Sequence, residues 1–165
     1  MAGITVEEAH LLLEGSSKYF HSVLVSRLME VLATRFSSNP KDWGLVGLFH
    51  DLDHDITKDN PERHGHKTAE LLDGRLPEAS IHAIKAHDYR SGVKPVTLLD
   101  RALIFADNLT ILIEDQGIKT PCTSTVLFDA IRKECQDRPW IGEYILGFAE
   151  REGFAIWDIV NEISH

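Results

Sequence analysis

The chain has 165 residues, with 17 Lys and Arg against 26 Asp and Glu, so its formal charge is −9 with nine histidines neutral. That anionic excess repels phosphate backbones and anionic lipid, which argues against a nucleic-acid polymer or a membrane as partner. At 43% hydrophobic and 26% charged, the composition suits a single globular domain, residues 1–165, rather than a disordered chain. Cys122 and Cys135 are too few for a disulfide framework and lack zinc-ribbon spacing, so a reducing, cytoplasmic setting is expected. The first ten residues hold Glu7 and Glu8 and no Lys or Arg, which argues against a signal peptide. The longest apolar run, Gly44 to Phe49, falls far short of the ~18 residues a membrane span needs.

Capping residues and prolines punctuate helix-length segments. Thr5 with Glu8 forms a candidate capping box for a first helix. A long helix is predicted over about 17–36, where Leu24, Val25, Leu28, Val31 and Leu32 recur at helical spacing. Asn39-Pro40 and Asn60-Pro61 pair a capping residue with a first-turn proline, and so predict helices over 40–52 and 61–73. Further helices are expected over 77–88, over 96–114 (Leu99, Ala102, Leu103, Ala106, Ile113), and over 123–136, 139–151 and 154–163. Alternating strand patterns are missing beyond short stretches, so the expected architecture is an all-α bundle of eight or nine helices.

The polar residues interrupt this pattern in a concentrated way. Residues 50–66, HDLDHDITKDNPERHGH, hold His50, His54, His64 and His66 with Asp51, Asp53, Asp55 and Asp59, offset by Lys58 and Arg63 alone. Leu45, Val46, Leu48 and Phe49 carry an apolar helix straight into His50-Asp51, where an ionised carboxylate is costly without a compensating partner. His21 falls on the apolar stripe of the 17–36 helix, and Asp107 interrupts ALIFADNLTILI. Taken singly, His21 reads as a core imidazole and Asp107 as a partner of Arg101. Taken together, His21, His50, Asp51 and Asp107 are two imidazoles and two carboxylates that can converge on one metal.

The order His21, His50-Asp51, Asp107 resembles the signature of the HD superfamily of metal-dependent phosphohydrolases, an all-α fold. GLVGLFHDLDHD is similar to the hydrophobic helix that ends in the family's HD pair, and ALIFADNLT to its later Ala-Asp helix. The resemblance covers about 17–115 and leaves helices over about 121–165 to complete the bundle. PERHGHKTAELL and IHAIKAHD are similar to HDIG-type members, which implies His64 and His87 as ligands of a second metal bridged by Asp51. His66 and His82 are the neighbouring alternatives. The sequence departs from that type at Asp88, where some dinuclear members carry a second adjacent His, and at His54, where the HDIGK form has Lys.

Imidazole mixed with hard carboxylate suits one or two ions of Mn, Fe, Co or Ni and tolerates Mg. Both cysteines lie outside the resemblance and are not expected as ligands. Asp51 and His54 are the candidate catalytic residues. If the 40–52 helix persists, His54 shares the face of His50 and serves as proton donor or phosphate contact; otherwise it is a surface histidine. Asp53 and Asp55 read as supporting or solvated carboxylates, and Lys67, Lys85 and Arg90 as surface charges or phosphate contacts. Trp43, Phe105, Phe128, Trp140, Phe148 and Trp157 read as core or interface, and His10 and His165 as incidental.

The expected activity is hydrolysis of a phosphomonoester or phosphodiester of a small metabolite, a nucleotide above all, by metal-activated water. The pattern names no substrate-binding residue. The alternatives are a di-iron oxygenase acting on an organophosphonate and a nucleotide-binding module that does not cleave. The apolar C-terminal stretch ILGFAEREGFAIWDIVNEI either caps the bundle or pairs with a second copy as a homodimer.

Overall fold

A computed structural model describes residues 3–163, and among them every regular element is helical. The Thr5–Glu8 capping box starts α1 (Val6–Leu12). Then follow α2 (Tyr19–Arg35), α3 (Pro40–Phe49), α4 (His66–Leu71) and α5 (Glu78–Ala86). The chain continues with α6 (Leu98–Asp115), α7 (Ser124–Asp137), a continuous α8 over 140–152 and α9 (Ile156–Glu162). Helix α8 is interrupted by one π turn, Glu143–Gly147. The described residues thus form the all-α bundle of nine helices that the spacing predicts.

Three helices make the frame of the bundle. Helix α2 packs against α3 and α6, and α5 bridges α3 and α6. The α2–α3 approach is close because α3 carries glycine where the helices meet. A Cβ on Gly47 would stand 2.8 Å from the Ser26 Cα, and Ser26 Oγ donates to the Gly44 carbonyl at 2.8 Å. Leu28, Met29, Leu32, Phe49, Leu103, Phe105 and Leu109 are fully buried between these helices. The C-terminal stretch caps the bundle: Ile145, Phe148, Ile156, Ile159 and Val160 are buried, and Phe36, Phe105, Phe148 and Phe154 pack ring on ring. No helix of the described residues is long and apolar enough to cross a membrane.

Two predicted helices are shorter than their sequence patterns, and both losses fall beside the His/Asp cluster. Helix α3 stops at Phe49 instead of reaching residue 52. The Asp53 amide donates to Thr68 Oγ1 at 3.1 Å and the Asp53 carboxylate accepts from the Thr68 amide at 2.8 Å, so a tertiary contact displaces the helical ladder. The Asn60-Pro61 pair opens only a 3-10 turn, Pro61–Arg63, and the Asn60 side chain caps nothing. Helix α4 begins at His66, after Gly65 has turned the chain at φ 75°. Of the aromatic residues expected in the core or at an interface, Trp140 is 52% exposed and Phe128 37% exposed. His165 lies outside the described residues.

Candidate metal centre and pocket

Five segments bring six candidate ligands together. His21 projects from the first turn of α2, His50 caps α3 with Asp51 directly after it, and Asp107 sits mid-way along α6. His64 lies in the extended link before α4, and His87 caps the C-terminus of α5. His21, His50, Asp51, His64 and His87 are buried.

The four imidazoles share one orientation. His50 Nδ1 donates to the Gly47 carbonyl at 2.7 Å and His87 Nδ1 to the Ile84 carbonyl at 2.6 Å. His21 Nδ1 donates to Glu114 Oε2 at 2.9 Å, and His64 Nδ1 to Asp53 Oδ1 at 2.7 Å. With Nδ1 committed as a donor, each ring turns Nε2 toward Asp51 and Asp107, the nitrogen that neutral imidazole offers to a cation.

Asp51 stands between two pairs of these nitrogens. Its Oδ2 lies 3.9 Å from His21 Nε2 and 3.5 Å from His50 Nε2. Its Oδ1 lies 3.0 Å from His64 Nε2 and 3.7 Å from His87 Nε2. Asp107 Oδ1 completes the first group, 3.0 Å from His21 Nε2 and 3.7 Å from His50 Nε2. Single ligand atoms of His21, His50 and Asp107, and likewise of His50, Asp51 and His87, lie within 4.8 Å of one another.

This donor set fits divalent ions. His50 Nε2 is buried without a hydrogen-bond partner, and His64 Nε2 lies 3.1 Å from His87 Nε2, so acceptor nitrogens face one another across the site. A cation or a proton must stand between such groups. Burial pushes the His64 imidazole down, but its hydrogen bonds to Asp51 and Asp53 outweigh this and raise it to about 10. Burial likewise opposes, without overcoming, the hydrogen bonds that His21 donates to Asp107 and Glu114, which raise it. For Asp51 and Asp107 burial acts upward, and the surrounding imidazoles more than reverse it and hold both carboxyls well down.

A pH dependence follows for protein stripped of metal. His64 titrates at about 10 in the fold against an ordinary 6.5, so its stabilising charge is fully present below about pH 6.5. That contribution is lost as pH rises through about 10. Thermal melts of the stripped protein should show Tm falling by several degrees from pH 7 to pH 10. Excess Mn should flatten the fall, since a metal takes the place of the proton. A stripped protein with constant Tm over this range would contradict the His64 assignment.

The six residues expected as ligands lie together in one place. The neighbouring alternatives do not join them: His66 Nε2 donates to the Ser91 carbonyl at 2.9 Å, and His82 Nδ1 lies 3.1 Å from Asp100 Oδ2. His54 does not share a helical face with His50, because α3 has ended; it opens a 3-10 turn, His54–Ile56. Its ring nevertheless packs near His64, with centroids 6.0 Å apart, and burial pushes its imidazole below the usual range. Asp53 is completely buried as the anchor of His64, whereas Asp55 reaches away to accept from the Ser17 amide and hydroxyl.

A cavity of about 490 Å³ opens over the cluster, with Asp51, His64, His87 and Asp107 in its floor and His54 in its wall. Two cations face it. Lys18 Nζ stands 3.7 Å from Asp51 Oδ2, and Arg90 leans on Asp88. Lys67, by contrast, pairs with Glu70 at the surface. Lys18, Glu114, Asn108 and Tyr144 were not marked out by the sequence pattern. For Glu114 a signal exists: it lies seven residues after Asp107, two helical turns along the same face of α6. Lys18 stands one turn before His21, at a position indistinguishable from a solvated charge.

A helical bundle that gathers histidine and aspartate from separate helices around a shared carboxylate is a metal-binding domain. The HD domain family model matches residues 19–112, more than half of the chain, and the chain belongs to that family. HD domains are commonly metal-dependent hydrolases, and membership implies binding of a divalent metal, which the His/Asp cluster fits. No curated protein and no solved structure matches the chain.

Proposed function

We propose that the protein is a metal-dependent phosphohydrolase that cleaves a phosphomonoester or phosphodiester bond of a small metabolite, a nucleotide above all. The observation that carries this reading is Asp51, whose two oxygens each face a separate pair of imidazole nitrogens. His21, His50, Asp51 and Asp107 would hold one ion, and Asp51, His64 and His87 a second. Such ions, Mn, Fe, Co or Ni by donor type and Mg by tolerance, neutralise phosphate charge and lower the pKa of water.

The remaining work falls to the chain's own residues. Lys18 and Arg90 face the cavity and offset the charge of an entering phosphate. Lys18 faces the cavity as a standing cation, whereas burial lowers the His54 imidazole below its usual range, so that its protonated form gives up a proton readily. His54 stands at the cavity wall as the group that passes a proton to the leaving oxygen. The small cavity favours a metabolite over a polymer, in keeping with the net charge of −9. Free Cys122 and Cys135 accord with a cytoplasmic location.

The test is elemental analysis of purified protein alongside a panel of phosphomonoesters and phosphodiesters with added Mn, Co, Ni and Mg. Metal-dependent release of phosphate or alcohol, inhibited by chelator, is the expected result. Iron as purified with dioxygen-dependent turnover would replace hydrolysis by oxygenase chemistry. Nucleotide binding without turnover under every metal would leave a non-cleaving module.

A further inference from the structure

The same cavity has a second kind of wall. Trp140 and Tyr144 line it from α8, and Tyr89 lines it from the turn after α5. Trp140 and Tyr144 are four residues apart, one helical turn, and both lie beyond residues 19–112 that carry the family match. The C-terminal stretch that caps the bundle therefore also reaches the pocket over the metal cluster.

Two features separate these rings from ordinary core packing. Trp140 is 52% exposed and Tyr89 81% exposed, while the aromatic residues further along the same stretch, Phe148 among them, are packed into the bundle. Helix α8 also widens into a π turn over Glu143–Gly147, and that turn carries Tyr144. A π turn shifts every later residue relative to earlier ones, so the helix can present Trp140 and Tyr144 to the cavity while Ile145 and Phe148 remain buried. Exposed planar rings are costly to leave in water and well suited to stacking on another ring.

We infer that Trp140 and Tyr144 form the specificity wall of the site, stacking the heterocyclic ring of a mononucleotide whose phosphate lies between Lys18, Arg90 and the His/Asp cluster. Lys18, Arg90 and the candidate metal ligands share the lining with Ile111 of α6 and the two α8 rings, so one cavity offers both charged and apolar planar contacts. The amide of buried Asn108, on the α6 wall, donates to the Ile104 carbonyl and leaves its oxygen as an acceptor for a ring amino group. A cavity of about 490 Å³ suits one ring and one phosphate rather than two linked nucleotides. This inference rests on the hydrolase reading for its chemistry, but the ring subsite is testable apart from it.

Two measurements on the full chain decide it. In the first, Mn-loaded wild type, Trp140→Ala and Tyr144→Ala are compared on adenosine 5′-monophosphate and on glycerol 3-phosphate, which has no ring. Each substitution should lower the ratio of kcat/KM for the nucleotide to that for glycerol phosphate by about tenfold, the scale of one base–aromatic stack. In the second, adenosine 5′-monophosphate is titrated while tryptophan emission is followed. Quenching should saturate in wild type and vanish in Trp140→Phe, with Trp43 and Trp157 as unchanged background. An unaltered substrate ratio in both alanine variants, or quenching that survives Trp140→Phe, overturns the inference. If wild type hydrolyses neither ester yet the nucleotide quenches Trp140, the hydrolase reading fails and the ring subsite stands.

Discussion

Asp51→Ala is expected to strip the protein of metal and to lower phosphoester hydrolysis by roughly a thousandfold or more, the scale of losing a preorganised charge-stabilising group. The reason is positional. Among the described residues no other carboxylate touches both nitrogen pairs: Asp107 reaches His21 and His50, while Asp53 is committed to His64 Nδ1 and the Thr68 amide. Without Asp51, each half of the cluster loses its shared anion, and both ion positions weaken together. The fold should survive, because Asp51 contributes no helix cap and no link in the apolar core, and far-UV circular dichroism should stay helical. Metal content by elemental analysis and kcat/KM on the best ester of the panel provide the check. A variant that still bound metal at one ion per chain and turned over normally would sink the site assignment.

Gly65→Ala should be the most disruptive single methyl group in the site. Gly65 holds φ 75°, where an L side chain costs about 1–2 kcal/mol, and its added Cβ would stand 2.6 Å from the Ile84 carbonyl oxygen. That oxygen belongs to the backbone of α5 and cannot swing aside; relieving such overlap costs typically ~1–3 kcal/mol. It is also the acceptor that orients His87. The substitution therefore displaces His64 on one side and His87 on the other. Denaturant unfolding of the metal-free protein should show a loss of about 2–5 kcal/mol, the sum of those two costs. Affinity at the His64–His87 position should fall about 10- to 100-fold, as for other disturbed ligand supports, while the His21–His50–Asp107 position keeps its ion. Unchanged metal stoichiometry would show that the Ile84 carbonyl does not govern His87.

The His/Asp cluster was legible in the sequence because helical periodicity exposes a polar residue wherever it breaks an apolar stripe. His21 and Asp107 announce themselves that way, and His50-Asp51 by ending a buried run. Whether His54 shares the face of His50 depends on α3 persisting, and a local pattern cannot foresee that Thr68 captures the Asp53 amide and ends α3 early. The 61–73 helix was overextended for a related reason: Gly65 obeys the closeness of α5, a tertiary fact, and not the Asn-Pro signal before it. Lys18, half-buried, and Trp140, exposed, sit at positions where charge and aromaticity are unremarkable in a linear chain. Only the folded cavity gives them neighbours.

The four imidazole anchors fall into two types, and each half of the cluster holds one of each. His50 and His87 are fixed by main-chain carbonyls three residues earlier, on which no side-chain exchange acts directly. His21 and His64 are fixed by the carboxylates of Glu114 and Asp53, which substitution can change. A ring that shares its Nδ1 proton with an anion is the more basic donor at Nε2. In the proposed two-ion reading each position would receive one nitrogen fixed by the main chain and one tuned by a carboxylate. On that reading a substitution at residue 114 would retune the His21 position alone, whereas one at residue 53 would also break the Thr68 amide contact that ends α3.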